Sequence, residues 1–276
     1  VPVGRFQRLY GADLIDDVAL LDQKSIGRNS RSNPATYLKL YDDVRKIYAN
    51  QSLSLRRGYT PQYFSFNVDG GRCPVCKGEG QVTIDMHFMS DVTLPCEECG
   101  GKRFTKEVLE VEFKGKNISQ LLETTIDECI DLFREYPALS YKLQLLRQVG
   151  LGYLQLGQSG ATLSGGESQR LKVASVLTDT KKTNVLYIFD EPTTGLHIDD
   201  VKRLIMVMQG LVDSGNSILV IEHNLDFIAA ADHIIDLGPG AGAQGGEIIA
   251  TGTPEQIMAI PQSLTGRFLK QTTRYL

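Results

Sequence analysis

Val185-Leu186-Tyr187-Ile188-Phe189-Asp190-Glu191 is an apolar run that ends in two adjacent carboxylates. A short apolar run bounded by a polar turn reads as a buried strand, the kind found in parallel sheets covered on both faces. Working outward, Ile218–Glu222 and His233–Leu237 are two more short apolar strands, separated by helical stretches. This alternation from about Ala161 onward predicts a parallel α/β sheet. Ligands of such sheets bind outside the carboxyl ends of the strands, where Asp190, Glu191 and His223 fall. One carboxylate there is placed to hold Mg2+, directly or through water, and the next to polarise an attacking water. His223 is placed to contact a γ-phosphate. Each feature alone has a plainer reading: a solvated acidic strand end, and a surface histidine.

Upstream, Leu163-Ser164-Gly165-Gly166-Glu167-Ser168-Gln169-Arg170 runs straight into a helix that continues through about Thr178. Ser164 is a good N-cap. The two glycines let a phosphate approach the backbone, and the helix dipole favours the anion. Taken alone, the segment reads equally well as a Ser-capped helix with a flexible entry. Three phosphate-type elements in this order are harder to explain separately.

Four of the five cysteines form Cys73-x2-Cys76 and Cys96-x2-Cys99, with nineteen residues between the pairs. Each CxxC turn brings two thiolates to one side of a tight loop, and two such turns close a tetrahedral zinc site. Glycines 70, 71, 78, 80, 100 and 101 flank them. A pair of redox CxxC motifs is the alternative; doubled, Gly-flanked motifs in a reducing compartment favour structural Zn2+. His87 lies between the pairs and is read as a surface residue. Cys129 sits on an apolar helical face, where a free cysteine acts as a small hydrophobe.

The rest of the chain bounds the reading. Its 276 residues are 42% hydrophobic and 22% charged, the composition of a folded globular protein. Net charge is −4, and no apolar stretch approaches the roughly 18 residues of a membrane span. No signal segment opens the chain, and the expected location is the cytoplasm. Val1 in place of Met reads as a fragment or a processed or trimmed product. Expected elements upstream of Ala161 are a helix over Ala35–Asn50, a strand in which Leu109, Val111 and Phe113 alternate with glutamates, and helices over Asn117–Glu135 and Pro137–Val149. Between Lys24 and Arg57 eight basic residues face only Asp42 and Asp43, a local excess of six on a mildly acidic chain. That asymmetry is the footprint of a phosphate-facing patch, or else a solvated helix face and loop. No base-reading element is visible, which suits readout of deformability.

At this point the motifs carry a resemblance. LSGGESQR, YIFDEPTTGLH and VIEHN resemble the signature, Walker B, D-loop and switch histidine of ABC-type ATPases. DEPTTGLH, FSFNVDGGRCPVCKGEG, PCEECGGKRF, LLDQKSIGRNSRSNPATY and DLGPGAG together resemble the UvrA family, the damage-recognition ATPases of bacterial nucleotide excision repair. The similarity runs from about Leu20 to Phe268 and corresponds to the second, C-terminal ABC module of that family.

The resemblance implies an α/β ABC-type ATPase core with a parallel sheet, interrupted by an α+β insertion, the signature domain, that carries the four-cysteine zinc module. It divides the chain into 1–33, the N-terminal part of the ATP-binding core with the Q-loop; 34–183, the insertion, with zinc module at about 68–105 and signature at 163–170; and 184–276, the rest of the core. It implies that Glu191 is the general base and Asp190 the Mg2+-organising carboxylate. His223 is implied as the switch histidine, and Gln23 as the Q-loop glutamine. Ser164, Gly165 and Gly166 are implied as signature contacts, with Gln169 also at the nucleotide; within the basic Lys24–Arg57 patch, Arg28, Arg31, Arg56 and Arg57 are the candidate DNA contacts, a reading that the resemblance favours. Implied cofactors are structural Zn2+ and, in the complete protein, ATP and Mg2+. Implied partners are lesion-bearing double-stranded DNA, a UvrB-type helicase subunit and a second copy of the complete protein, within an excision-nuclease system of the SOS response; no membrane is involved.

One motif is absent: no G-x-x-x-x-G-K-[ST] string occurs in these residues. In the family that loop precedes the LLDQ segment, so the chain reads as beginning downstream of it, and alone is expected not to hydrolyse ATP. Two other functions compete. One is a regulatory or resistance-type UvrA paralogue. The other is a DnaJ-like zinc-dependent protein-binding module, because Cys73-Pro-Val-Cys-Lys-Gly-Glu-Gly fits C-x-x-C-x-G-x-G, although Cys96-Glu-Glu-Cys-Gly-Gly-Lys-Arg departs from it.

Overall fold

The computed structural model describes residues 7–22, 24, 26, 31–84, 86, 92–178, 183–240 and 245–272. The chain divides into two compact units, Val1–Asp22 with Lys182–Leu276, and Gln23–Lys181. Of the residues grouped by sequence with the first segment, Arg31, Ser32 and Asn33 fall in the second unit. A backbone bond from the Gly160 amide to the Ser32 carbonyl (2.6 Å) ties them into it.

The first unit is built on a three-stranded parallel sheet with Val185–Asp190 in the centre, flanked by Asp17–Leu21 and Ser217–Ile221. The register pairs Leu20 with Ile188 and Asp190 with Ile221. Side chains alternate across a strand, and one face of the central strand, Val185, Tyr187 and Phe189, is buried. The helix Ile198–Asp213 contacts the Ser217–Ile221 strand and buries Val201, Leu204, Met208 and Leu211 along one stripe. Asn216 closes the return from this helix: its Nδ2 donates to the Leu211 carbonyl, and its Oδ1 accepts the Val185 amide.

The expected third strand belongs elsewhere. Ile234–Gly238 pairs antiparallel with Glu247–Gly252 in a separate two-stranded sheet. Helices Pro254–Ala259 and Leu264–Thr272 cover it around Ile234, Ala250, Ile257 and Leu269. Asp236 anchors the second helix by accepting hydroxyl bonds from Ser263 (2.6 Å) and Thr265 (2.8 Å). The parallel sheet instead recruits Asp17–Leu21, which the sequence pattern did not single out.

The second unit is mainly helical, and several expected elements are shorter than the pattern suggested. Ala35–Asn50 is two helices, Pro34–Tyr37 and Tyr41–Ala49, because Lys39 turns left-handed (φ 54°) and the Leu40 amide folds back to the Ala35 carbonyl. Asn117–Glu135 breaks into Ile118–Glu123 and Ile126–Leu132. Thr125 and Glu128 form a capping box that starts the second of these, and a new N-cap requires an extended residue that ends the previous helix. The alternating Leu109–Phe113 stretch is a helical turn, Lys106–Leu109, followed by the two-residue strand Glu112–Phe113. Pro137–Gln148 is a helix, opened by a proline at its first turn. An aromatic core of Tyr48, Phe64, Phe113 and Phe133 holds these pieces together, with ring centroids 5.5–6.2 Å apart in neighbouring pairs. Among the described residues no helix is long and apolar enough to cross a membrane.

Candidate functional site

In the first unit, two parallel strands deliver the catalytic candidates to one edge. Tyr187 and Phe189 are buried, and the next carboxylate, Asp190, emerges at the exposed end of the strand. Glu191 then adopts a left-handed backbone (φ 46°), a conformation that costs a non-glycine residue on the order of 1–3 kcal/mol. The surroundings hold it there. Its amide donates to the Ile221 carbonyl (2.9 Å), and its own carbonyl accepts from Thr194 (3.2 Å). His223 follows the neighbouring strand, and its Nδ1 lies 3.7 Å from Glu191 Oε1. Both side chains are open to solvent, the histidine more than the glutamate. The two strand ends therefore present Asp190, Glu191 and His223 side by side. A hard carboxylate at the end of a buried strand matches the donor chemistry that Mg2+ prefers.

The signature segment lies in the second unit. Ser164 caps the helix Gly165–Leu177: its Oγ accepts the Glu167 amide (3.2 Å), and Glu167 Oε2 accepts the Ser164 amide (2.7 Å). Burial works against the Glu167 charge, but hydrogen bonds from Tyr153 and Ser164 outweigh it and hold the carboxyl below its ordinary range. Gly165 and Gly166 occupy the first turn, where helix geometry supplies no intrahelical acceptor for their amides. Gln169, expected at the nucleotide, is fully buried beside Ser168 and Arg170. Gln23 and Arg28 lie outside the described residues, as does His87.

The four cysteines also belong to the second unit, and their Sγ atoms all lie within 4.8 Å of one another. Cys73 and Cys96 are 3.9 Å apart and Cys76 and Cys99 3.7 Å, far beyond a bonded disulfide. A tetrahedral zinc with sulfur at about 2.3 Å has sulfur–sulfur edges of roughly 3.8 Å, and the Cys73–Cys96 and Cys76–Cys99 separations match that edge. The backbone builds it. Cys73 donates to the Arg103 carbonyl and Cys96 to the Gly80 carbonyl, each at 2.9 Å, while the Gly80 amide points at Cys76 Sγ (3.3 Å). Gly78 is required: its φ is +85°, and a Cβ there would sit 2.1 Å from the Phe66 carbonyl oxygen. The Cys99 backbone amide draws the Cys96 thiol down to about 7, which favours the thiolate that metal ligation requires. The strands Gln81–Ile84 and Val92–Pro95 extend from the cluster as an antiparallel pair.

Of the described arginine candidates, Arg31 lies 3.6 Å from Glu79 and donates to the Lys77 carbonyl. Arg57 pairs with Glu110 and donates to the Glu107 carbonyl. Arg56 is exposed. One participant escaped the sequence reading. Glu222, inside the VIEHN string, accepts backbone amides from both strand-end loops. Its only sequence signal is position, a carboxylate between a buried strand and a histidine.

The chain is similar to known proteins along nearly its whole length. Across 269 residues, 98% of this chain, it is 52% identical to "UvrABC system protein A" of Aquifex aeolicus. The same protein of Clostridium tetani is 53% identical over 268 residues, and that of Bacillus subtilis 52% over 267. The chain spans just under a third of the length of these relatives, 28–29%. Among solved structures, UvrA2 from Deinococcus radiodurans superposes with a TM-score of 0.88 at 46% identity, covering 95% of this chain and 32% of that one. No protein-family model matches the chain.

Proposed function

The chain belongs to the UvrA family over the stretch it covers, and from that premise we propose that it is an ATP-hydrolysing module that controls engagement of damaged DNA in nucleotide excision repair. The observation that carries this reading is the juxtaposition of Asp190, Glu191 and His223 at adjacent parallel strand ends, with His223 and Glu191 3.7 Å apart. Asp190 would hold Mg2+, which when bound would offset the negative charge of the phosphates. Glu191 takes the proton from the attacking water, and His223 donates to the γ-phosphate oxygens that gain charge as the bond breaks. Ser164, Gly165 and Gly166 contribute first-turn amides to a nucleotide held by an opposite module, so two modules complete each site. In the complete protein this requires a homodimer or an internal partner module, and a UvrB-type subunit receives the DNA. Cys73, Cys76, Cys96 and Cys99 hold a structural zinc, and the setting is the cytoplasm. The cysteine module lies within the 97–98% of the chain that aligns with these relatives, which favours this reading over a DnaJ-like one.

DNA binding supplies a direct test. Lys and Arg that neutralise phosphates release counterions, so affinity falls steeply with salt. Alanine at Arg28, Arg31, Arg56 and Arg57 together is expected to weaken binding to a lesion-bearing duplex. The log–log salt slope is expected to flatten by about one unit for each phosphate that is no longer neutralised. Exposed Arg56 is expected to contribute without rearrangement, whereas Arg31 and Arg57 must first leave Glu79 and Glu110. Fluorescence anisotropy across a salt series measures both quantities. An unchanged slope assigns these arginines to a solvated surface.

A further inference from the structure

The structure assigns Glu222 a positioning role: its carboxylate ties the loop after Val185–Asp190 to the loop after Ser217–Ile221, and so sets where His223 stands against Glu191. The functional meaning of this clamp rests on the ATPase reading above; its geometry does not. Glu222 Oε1 accepts the Thr193 amide at 2.8 Å. Oε2 accepts the amides of His223 at 3.0 Å and Asn224 at 3.2 Å. Three backbone donors from two loops thus converge on one side chain, and hydrogen bonds to an ionised acceptor are roughly twice as strong as neutral ones.

The clamp begins where the sheet stops. Sheet pairing carries Asp190 opposite Ile221, and the Glu191 amide makes one more bond, to the Ile221 carbonyl. The carboxylate of the next residue then takes over the cross-link. Thr193 lies two residues beyond the proposed base, and His223 is itself one of the donors. A shift in either loop changes the 3.7 Å separation of His223 and Glu191. Asn224 continues the chain of support, since its Oδ1 caps the helix Leu225–Ala229 through the Phe227 amide (3.1 Å). Glu222 acts through backbone and is a positioning residue.

The chemistry of the clamp separates two substitutions. Alanine removes every acceptor. Glutamine keeps one oxygen and puts an NH2 where the other stood, so it serves one loop while presenting donors to the N–H groups of the other. In the 15N-labelled 276-residue chain, Glu222→Ala is expected to speed amide exchange of Thr193, His223 and Asn224 by about tenfold or more, and to move the His223 ring-proton resonances. Glu222→Gln is expected to protect one side only, either Thr193 or the His223–Asn224 pair. Amides of the helix Ile198–Asp213 report whether each variant is folded. If Glu222→Ala unfolds the unit, the split in Glu222→Gln decides. Wild-type exchange at all three amides in Glu222→Ala, or full protection of all three in Glu222→Gln, overturns the assignment. No nucleotide enters these measurements, so they fail or succeed independently of the ATPase reading, which turnover tests separately.

Discussion

Glu191→Gln is expected to remove ATP turnover at this site while leaving nucleotide binding in place. The comparison is made in a polypeptide that carries these residues together with a G-x-x-x-x-G-K-[ST] loop. Glutamine keeps the size and the hydrogen-bonding reach of the side chain but cannot accept the proton of the attacking water. Positioned general bases contribute about 10²- to 10⁴-fold, and a loss in that range is expected in kcat. The neighbouring geometry makes the assignment specific. Asp190 stands at the open end of the central strand, whereas Glu191 is turned by its left-handed backbone and faces His223. The 276-residue chain by itself, which contains no such loop, is expected to show no hydrolysis sensitive to Glu191→Gln. Steady-state phosphate release with and without the substitution measures both. Full site-specific turnover in the variant would falsify the role of Glu191, and robust hydrolysis by the 276-residue chain that vanishes in Glu191→Gln would reveal a phosphate-binding element elsewhere in it.

The second large effect concerns the cysteine cluster. Protein purified under reducing conditions is expected to carry one zinc per chain, and the pair Cys73→Ser with Cys99→Ser is expected to carry none. Apparent free energies for structural zinc sites are about 10–16 kcal/mol near neutral pH, comparable with the whole stability of an ordinary domain. Loss of the ion is therefore expected to release residues 68–105 to rapid proteolysis. Ligation needs thiolates, so acidification competes with zinc. The ion is retained above the range in which the metal-bound thiolates protonate and is released as pH falls through it. Elemental analysis and limited proteolysis read the two outcomes. Cys129→Ser is the control: that thiol is fully buried and absent from the cluster, and its zinc content is expected to be unchanged.

Much of this architecture was legible because its signals are local. The Val185–Asp190 strand follows from an uninterrupted apolar run, and Pro137–Gln148 from helical spacing with a proline at its start. The cysteine spacing anticipated a cluster that the folded chain assembles. What escaped depends on distance or on competition between neighbours. Asp17–Leu21 is a short run whose partner lies most of the chain away, and nothing in its own residues says that Leu20 pairs with Ile188. The Ile234–Gly238 strand was legible as a strand, but its antiparallel partner depends on the bulged register with Glu247–Gly252. Helices over Ala35–Asn50 and Asn117–Glu135 were over-extended because apolar periodicity continues across their breaks. The breaks come from a left-handed Lys39 and from the Thr125 capping box, local preferences that periodicity does not register. Glu222 was visible as a residue and invisible as a clamp, since its three donors come from two loops that meet only in the fold.

With Glu191 as the proposed base, its left-handed backbone sets a trade-off between durability and activity. Asparagine and glycine adopt that conformation more readily than glutamate does, so either would relax the loop by a fraction of what the present residue costs there. Neither can act as the proposed base. A search that rewarded only thermal persistence would drift toward those residues at position 191 and return a hardier, silent protein. Selection for turnover keeps the less comfortable one, and the bonds from Glu191 to Ile221 and Thr194 are what make that choice tolerable.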